Sequence, residues 1–386
     1  MRVAMLCELF YPYVKGGSEK RYWEISRRLA KEDELHIFTM RPPETDSEEL
    51  SEGIHIHRIF KFEELYSDQG HRRAWPAIGY SLALLKENLG KLGHFDIVDC
   101  SSFPYIPVLS AKLLAGKFDS PLIVTFHEVW GSYWNQYLGN PISGRIGRLF
   151  EEAAARIPDR IVAVSQWTAS VLNKTYNVPR SNIDIVPNGV DLGLFDSVEV
   201  ERDPFKVLFV GRLISHKHLD WLIAAMSTVK KRFPKSSLHV VGDGPLRREL
   251  EELASGYSLT GTVIFHGVLP SYRSIAEHMK SASVLVSPST REGFNMVALE
   301  AIVAGTPVVI VDAPQNAALD FVKHRRTGLV VEMGNPQAIA DAITELFEDA
   351  DLRKRLVKNA TQTARGYSWD EVAQDMRRVY SKVAES

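Results

Sequence analysis

Apolar residues fall along this chain in short β-branched runs, separated by longer stretches whose apolar positions recur at helical spacing. Residues 2–10 (RVAMLCELF) read as a buried strand and YPYVKGGSEK as a loop; RYWEISRRLAKE, with Tyr22, Ile25, Leu29 and Ala30 on one stripe, reads as a helix. Further strands are expected at ELHIFTM, GIHIHRIF, FDIVDCS, PLIVTFH, RIVAVS and NIDIVPN. The rhythm breaks at IVPNGVD and the loop LGLFDSVEVERDPF, then resumes at KVLFVG, SLHVVG, TVIFHG, SVLVSP, PVVIVD and GLVV. These runs do not alternate strictly, so they predict strands buried on both faces, as in parallel sheets covered by helices. The expected fold is α/β: two Rossmann-like, doubly wound domains, 1–188 and 189–366, whose strand ends face each other across a cleft. The stretch from Ala77 to Leu92, just after Arg72 and Arg73, predicts an amphipathic helix that either faces the core or touches a membrane surface.

At 386 residues, with 45% hydrophobic and 24% charged content, the chain is long enough for two globular domains. A net charge of -2 argues against nucleic acid as the main partner. No segment approaches the roughly 20 continuous apolar residues of a membrane span. The opening MRVAMLCELFYP is interrupted by Glu8 and runs into an aromatic, proline and glycine loop, so it reads as a strand and not as a signal peptide. Cys7 and Cys100 lie at or near strand ends without a disulfide framework, which suits buried packing in a reducing, cytoplasmic setting.

The chemistry centres on SPSTREGFNMVALEAIVAGT, which reads as the loop and helix of a crossover unit. With a helix beginning near Gly293, Glu292 stands at its mouth and Glu300 about two turns further on. The N–H groups of Gly293, Phe294, Asn295, Met296 and Val297 then form an anion site between two carboxylates. Carboxylates for hydroxyls on either side of a phosphate cradle suit a sugar nucleotide. Arg212 and Lys217, five apart after the first strand of the second half, can neutralise a diphosphate. Gly242 and Gly244 add a tight turn at the same edge. In the first half, Gly16 and Gly17 precede a helix and permit either a close ligand approach or a tight turn; they do not complete a dinucleotide fingerprint. His127 ends a strand at the ligand-binding edge, as a site residue or a structural one. Trp130, Tyr133, Trp134 and Tyr137 precede Arg145 and Arg148, which suggests either a sugar-stacking acceptor site or a packed loop beside a basic helix. Asp349-Ala350-Asp351 has the look of a metal motif, but its place between two helices predicts a cap.

Glu292 to Glu300, with Gly293 and Phe294 inside, resembles the E-x7-E signature of retaining family-4 glycosyltransferases with the GT-B fold. Gly211, Arg212 and Lys217 resemble that family's G-R-x4-K, with His218 where a glycine usually follows, and Gly242 to Pro245 resemble its G-x-G-P loop. The resemblance implies transfer of a hexosyl group from a UDP- or GDP-sugar to the hydroxyl of a glycan, lipid-linked or small-molecule acceptor, without metal or other cofactor. It implies that Gly16 and Gly17 lie against the donor diphosphate or acceptor cleft, that His127 meets the donor sugar, and that Val268 and Leu269 face the base. Glu128 stands where family members often carry aspartate. The terminal helix, 367–386, is expected to pack back on the first domain. A sugar-nucleotide epimerase and a non-catalytic nucleotide-sugar binding protein are the alternatives, and peripheral membrane contact stays open.

Overall fold

The computed structural model describes residues 1–13, 16–65, 72–86 and 92–385, so residues 87–91 of the expected Ala77–Leu92 helix lie outside it. The chain forms two units, Met1–Gly189 with Trp369–Ser386, and Val190–Ser368.

The first unit holds one sheet of β1 (Arg2–Leu6), β2 (Glu34–Arg41), β3 (Glu48–Ser51), β4 (Ile54–Lys61), β5 (Ile97–Ser101), β6 (Leu122–Phe126), β7 (Arg160–Ala163) and β8 (Ile183–Ile185). Their spatial order is β3-β4-β2-β1-β5-β6-β7-β8. All neighbours are parallel except β3, which pairs antiparallel with β4. The short, exposed β3 has no apolar run and was invisible to hydrophobic patterning. From β1 the chain winds first toward β2 and later, through β5, the other way, so the crevice of a doubly wound sheet falls between β1 and β5. The register Leu6↔Cys100 and Ser101↔Thr125 aligns their carboxyl ends at one edge.

The terminal helix Trp369–Ala384 belongs to this unit. Trp369 is fully buried against Gly189, where a Cβ would come within 2.6 Å of the indole. Tyr380 donates to the buried Asp99 at 2.5 Å, and Tyr22 donates to the same carboxylate at 3.1 Å.

The second unit is built on β9 (Lys206–Val210), β10 (Ser237–Val241), β11 (Val263–Gly267), β12 (Val284–Ser287), β14 (Val308–Asp312) and β16 (Leu329–Glu332). All are parallel, in the order β11-β10-β9-β12-β14-β16. A two-stranded pair, β13 (Arg291–Glu292) with β15 (Gln315–Asn316), stands apart from it. The crevice between β9 and β12 thus receives the two loops that carry Arg212, Lys217 and Glu292. No helix among the described residues is long and apolar enough to cross a membrane.

Candidate active site

At the carboxyl edge of the second sheet, successive loops are laced together by backbone hydrogen bonds. Gly211 N–H donates to Val241 O (2.9 Å), Leu213 N–H to Asp243 O (3.0 Å) and Gly242 N–H to Gly267 O (2.8 Å). Gly242 has φ +126°, and a Cβ there would lie 2.0 Å from Gly211 O; one on Gly244 would lie 2.5 Å from Leu213 O. The two glycines therefore admit the neighbouring loop, which is the physical reason for the tight turn expected from the sequence. Lacing holds Arg212 exposed on the crest of the first loop and Val268, 72% exposed, just beyond the third.

The loop after β9 is also tied to the loop after β12. His216 O accepts Thr290 N–H at 2.9 Å and Ser289 Oγ–H at 3.2 Å. This brings Lys217 Nζ to 2.6 Å from Glu292 Oε1, with both side chains largely covered. Burial, then the nearby Lys217 and Arg291 charges, push the His216 imidazole down to about 3, so it is neutral at pH 7. His218 takes a left-handed conformation (φ 46°), which explains why glycine suits this position; its ring stacks on Trp221 at 3.7 Å.

The helix starts later than its sequence suggests. It spans Met296–Val303, and Glu292 belongs to β13, paired in register with Asn316. Asn295 is left-handed (φ 68°) and caps the helix, its Oδ1 accepting Ala298 N–H at 3.1 Å and its Nδ2 donating to Ser287 Oγ at 3.1 Å. Phe294 is buried against Phe321 and Tyr367. Neither side chain is therefore open to a ligand. The anion donors this loop offers are the first-turn N–H groups of Met296 and Val297. Glu300 is buried and accepts the Tyr272 hydroxyl. Tyr272 lies in the polar stretch LPSYRSIAEH, where no motif marks it.

In the first unit, His127 follows β6. Its ring is enclosed, though the residue keeps some surface, and Nε2 has no hydrogen-bond partner among the described residues. Burial, then the Arg21 charge, push its pKa down to about 3, so it is a neutral imidazole at physiological pH. Glu128 is half-buried beside it.

Gly16 caps the helix Gly17–Leu29, and the Glu19 carboxylate folds back over that helix start. A Cβ on Gly16 would lie 2.1 Å from Glu19 Oε2, which also sits 2.9 Å from Ser18 Oγ. The anion position beside the glycine pair is thus filled by the chain's own carboxylate. Next to it, Glu8 pairs with Arg72 while its Oε1 is buried without a hydrogen-bond partner among the described residues. Burial pushes the carboxyls of Glu8 and Glu19 above the ordinary range, against the pull of Arg72. A cavity of about 30 Å³ is lined by Glu8, Ser18, Glu19, Arg72 and Ser101. Neither Glu8, in the opening apolar run, nor Glu19, in the first turn of the helix Gly17–Leu29, belongs to a sequence motif.

The aromatic segment packs inward. Trp130 N–H, Gly131 N–H, Trp134 Nε1, Tyr105 OH and Tyr176 OH all donate to the fully buried Glu151 carboxylate, at 2.6 to 3.1 Å. Trp130 stacks on Phe103 and packs on Trp134, with Tyr133 at its edge. Trp130 is buried in this packed loop, Tyr133, Trp134 and Tyr137 are half-buried, and Arg145 and Arg148 stay exposed on the helix Pro141–Arg156. Asp349 caps the helix Ala350–Ala364 through Leu352 N–H at 2.7 Å. A nitrogen cluster of His239, His266 and His278 exists in the second unit, but Lys206 Nζ lies 3.3 Å from His278 Nδ1, a charge that opposes a cation there.

Two family profiles divide the chain: Glycosyltransferase Family 4 matches residues 15–194 and Glycosyl transferases group 1 matches 194–363. An uncharacterised glycosyltransferase of Methanocaldococcus jannaschii is 31% identical over 407 residues, covering 98% of each chain. Sucrose-phosphate synthase from Thermosynechococcus elongatus superposes with a TM-score of 0.83 at 23% identity, over 100% of this chain and 99% of the other. HepE of Anabaena, solved with UDP-glucose, superposes with a TM-score of 0.74 at 17% identity, over 98% of this chain and 99% of the other. With matches over both halves and a relative of the same length, this chain belongs to the group 1, family 4 glycosyltransferases, on the GT-B fold.

Proposed function

We propose that this enzyme is a retaining hexosyltransferase that uses a UDP- or GDP-sugar as donor and the hydroxyl of a glycan, lipid-linked or small-molecule compound as acceptor. The observation that carries the reading is the convergence of Arg212, Lys217, Glu292 and the Met296 helix start on one sheet crevice. Two cations and a helix start suit a diphosphate, and the adjacent carboxylate suits sugar hydroxyls. The structural likeness to HepE, solved with UDP-glucose, supports a nucleotide-sugar donor.

On donor binding, Lys217 exchanges Glu292 for a diphosphate oxygen, and Glu292 turns to the sugar hydroxyls. Arg212 and the N–H groups of Met296 and Val297 take up charge that grows on the departing diphosphate. Glu300, oriented by Tyr272, holds the ribose, and Val268 faces the base. The neutral His127 exchanges hydrogen bonds with the transferred sugar. The bond from the anomeric carbon to the phosphate oxygen breaks as a bond to the acceptor oxygen forms on the same face. The acceptor proton passes to the released phosphate oxygen, so the step requires neither a protein nucleophile nor a metal. A cytoplasmic setting supplies such donors and keeps Cys7 and Cys100 as buried thiols.

Binding heats for UDP-glucose, UDP-N-acetylglucosamine and GDP-mannose, with wild type and Arg212→Ala, test the reading. One donor should bind and lose at least about tenfold in affinity in the variant. No binding to any of the three, or equal binding by the variant, would remove the diphosphate role. Release of an altered nucleotide sugar without acceptor would make the enzyme an epimerase.

A further inference from the structure

A row of alternating carboxylates and imidazoles crosses one face of the first sheet toward its β3 margin. Glu34 and His36 stand on β2, His57 on β4 and Glu48 on β3, and the registers Phe38↔His57 and Glu48↔His57 bring them into line. His36 Nε2 lies 2.9 Å from Glu34 Oε1, His36 Nδ1 lies 2.8 Å from His57 Nε2, and His57 Nδ1 lies 2.5 Å from Glu48 Oε2. The two imidazole planes are parallel to within 4°. Both histidines are buried, while both glutamates reach solvent.

The number of ring protons sets the charge of this row. Each of the three gaps needs one ring proton, because a carboxylate only accepts, and two neutral imidazoles carry one proton each. With two protons, one gap would set lone pair against lone pair. A solvent-exposed glutamate, at about 4.3, yields a shared proton to a histidine, at about 6.5, so the third proton belongs to a ring. Arg2 offers another way to close the row, since its Nη2 lies 3.5 Å from His36 Nε2 and could donate to that nitrogen. Glu34 Oε1 is nearer, at 2.9 Å, and the bonds from His36 and then Arg2 hold its carboxyl below the usual range, so the nitrogen facing it carries hydrogen.

The surroundings separate the two rings. Burial pushes the His36 imidazole below its ordinary value against the pull of Glu34, and His57, His55 and Arg2 add to the push. His55 stacks on His36 with ring centroids 4.7 Å apart. His57 lies on the Phe38 ring and faces the Glu48 carboxylate. The helix Ala74–Lys86, packed on these strands, brings Tyr80, whose hydroxyl donates to Phe38 O, and Lys86 in its last turn. Glu49 and Arg58, on the opposite face, pair with each other, while His94 O and Asp96 engage Arg2.

We propose that His57 is an imidazolium at neutral pH and that its proton latches the edge strand β3, and with it the loop of residues 42–47, to the sheet. His57 then donates from Nδ1 to Glu48 and from Nε2 to His36, and His36 donates from Nε2 to Glu34. The loop leaves β2 at the carboxyl edge, where doubly wound sheets bind ligands. Without the third proton, a lone pair on His57 Nδ1 meets Glu48, and β3 keeps only its short backbone ladder with β4. The latch is complete below the ordinary histidine value of about 6.5 and is lost as pH rises through the higher value His57 has in the native state.

Nitrogen NMR of the full chain, labelled at histidine, tests this. At pH 7 both ring nitrogens of His57 should be protonated, and only Nε2 of His36. Glu48→Gln supplies an amide N–H to His57 Nδ1, which closes the row with two protons, so His57 should titrate at least about one pH unit lower than in wild type. Hydrogen-exchange protection factors of the β3 amides should fall at least about threefold as wild type passes through the His57 titration, with no such step in Glu48→Gln. A His57 that is neutral at pH 7 in wild type, or that titrates alike in both proteins, overturns the bound proton. Protection of β3 that does not follow the titration overturns the latch.

Discussion

Lys217 Nζ donates to Glu292 Oε1 across 2.6 Å, although 75 residues separate the two in sequence. The pair forms because His216 O is bonded to Thr290 and Ser289, which aligns the two loops at one sheet crevice. Each member neutralises the other, and in the proposed reaction a donor supplies a diphosphate for the lysine and hydroxyls for the carboxylate.

Replacing Lys217 with Ala should therefore weaken nucleoside diphosphate binding by about 30-fold, the loss of one charged hydrogen bond worth about 2 kcal/mol. Glu292→Gln should hold that affinity within about threefold yet slow transfer by about 100-fold. Calorimetry and initial rates separate the two effects. Transfer at the wild-type rate by Glu292→Gln would end its assignment to the sugar.

Tyr272→Phe removes the hydroxyl that orients the buried Glu300 carboxylate. Stability should fall by about 1.5 to 3 kcal/mol in urea titrations, the range for a hydrogen bond to a charged group. Affinity for the nucleoside diphosphate should drop while that for pyrophosphate stays constant, because only the former carries a ribose. Parallel losses for both ligands would place Glu300 away from the ribose.

A methyl group at Gly242 would meet Gly211 O at 2.0 Å, in a backbone region (φ +126°) closed to alanine. Gly242→Ala should cost about 3 kcal/mol or more and disorder the Arg212 loop. At Gly256, in the helix Arg247–Gly256, a Cβ meets nothing within 4 Å, and alanine should stabilise by about 0.5 to 1 kcal/mol. Urea midpoints of the two variants shifted in the same direction would contradict the close-packing account.

Glu151→Gln places an amide among five donors that all point at one carboxylate. At least one N–H then faces another donor, so a loss of about 3 kcal/mol or more is expected, with a changed near-ultraviolet signal from Trp130 and Trp134. An unchanged thermal midpoint would show that the cluster does not depend on the charge.

Acid stability should report the two most strongly depressed histidines. His127 and His216 titrate near 3 in the native state, against about 6.5 in an unfolded chain. Between those values the unfolded state binds protons that the native state refuses. Their contribution is complete above pH 6.5 and falls as pH drops, by up to about 1.4 kcal/mol per pH unit for each. Asp99 acts in the opposite sense: burial raises its carboxyl to about 6 against the pull of Tyr380 and Tyr22, so protonation in the native state recovers stability between about 6 and 4. Urea titrations from pH 7 to 4 should show a shallower loss for His216→Asn than for wild type; equal slopes would mean that His216 is protonated in the native state.

The hydrophobic pattern determined most of the architecture, because a strand covered on both faces must be apolar throughout, and that requirement is local. It marked the parallel strands of both units, and Arg212, Lys217, Glu292 and Glu300 stood out through charge types at fixed spacing. Local pattern had no means of seeing pairings made by distant backbone. The helix start at Met296 depends on Asn295 reaching both Ala298 and Ser287, and Gly242 is glycine because another loop's carbonyl lies against it. Trp130 and Trp134 look like open aromatic faces until Glu151 gathers their N–H groups. Tyr272, Glu8 and Glu19 carried no motif and gained meaning only from burial and from their partners. Local pattern marks which segments are strands and where charge gathers; the folded chain settles which polar groups are spent on one another, since hydrogen-bond partners are chosen by distance in space and not along the chain.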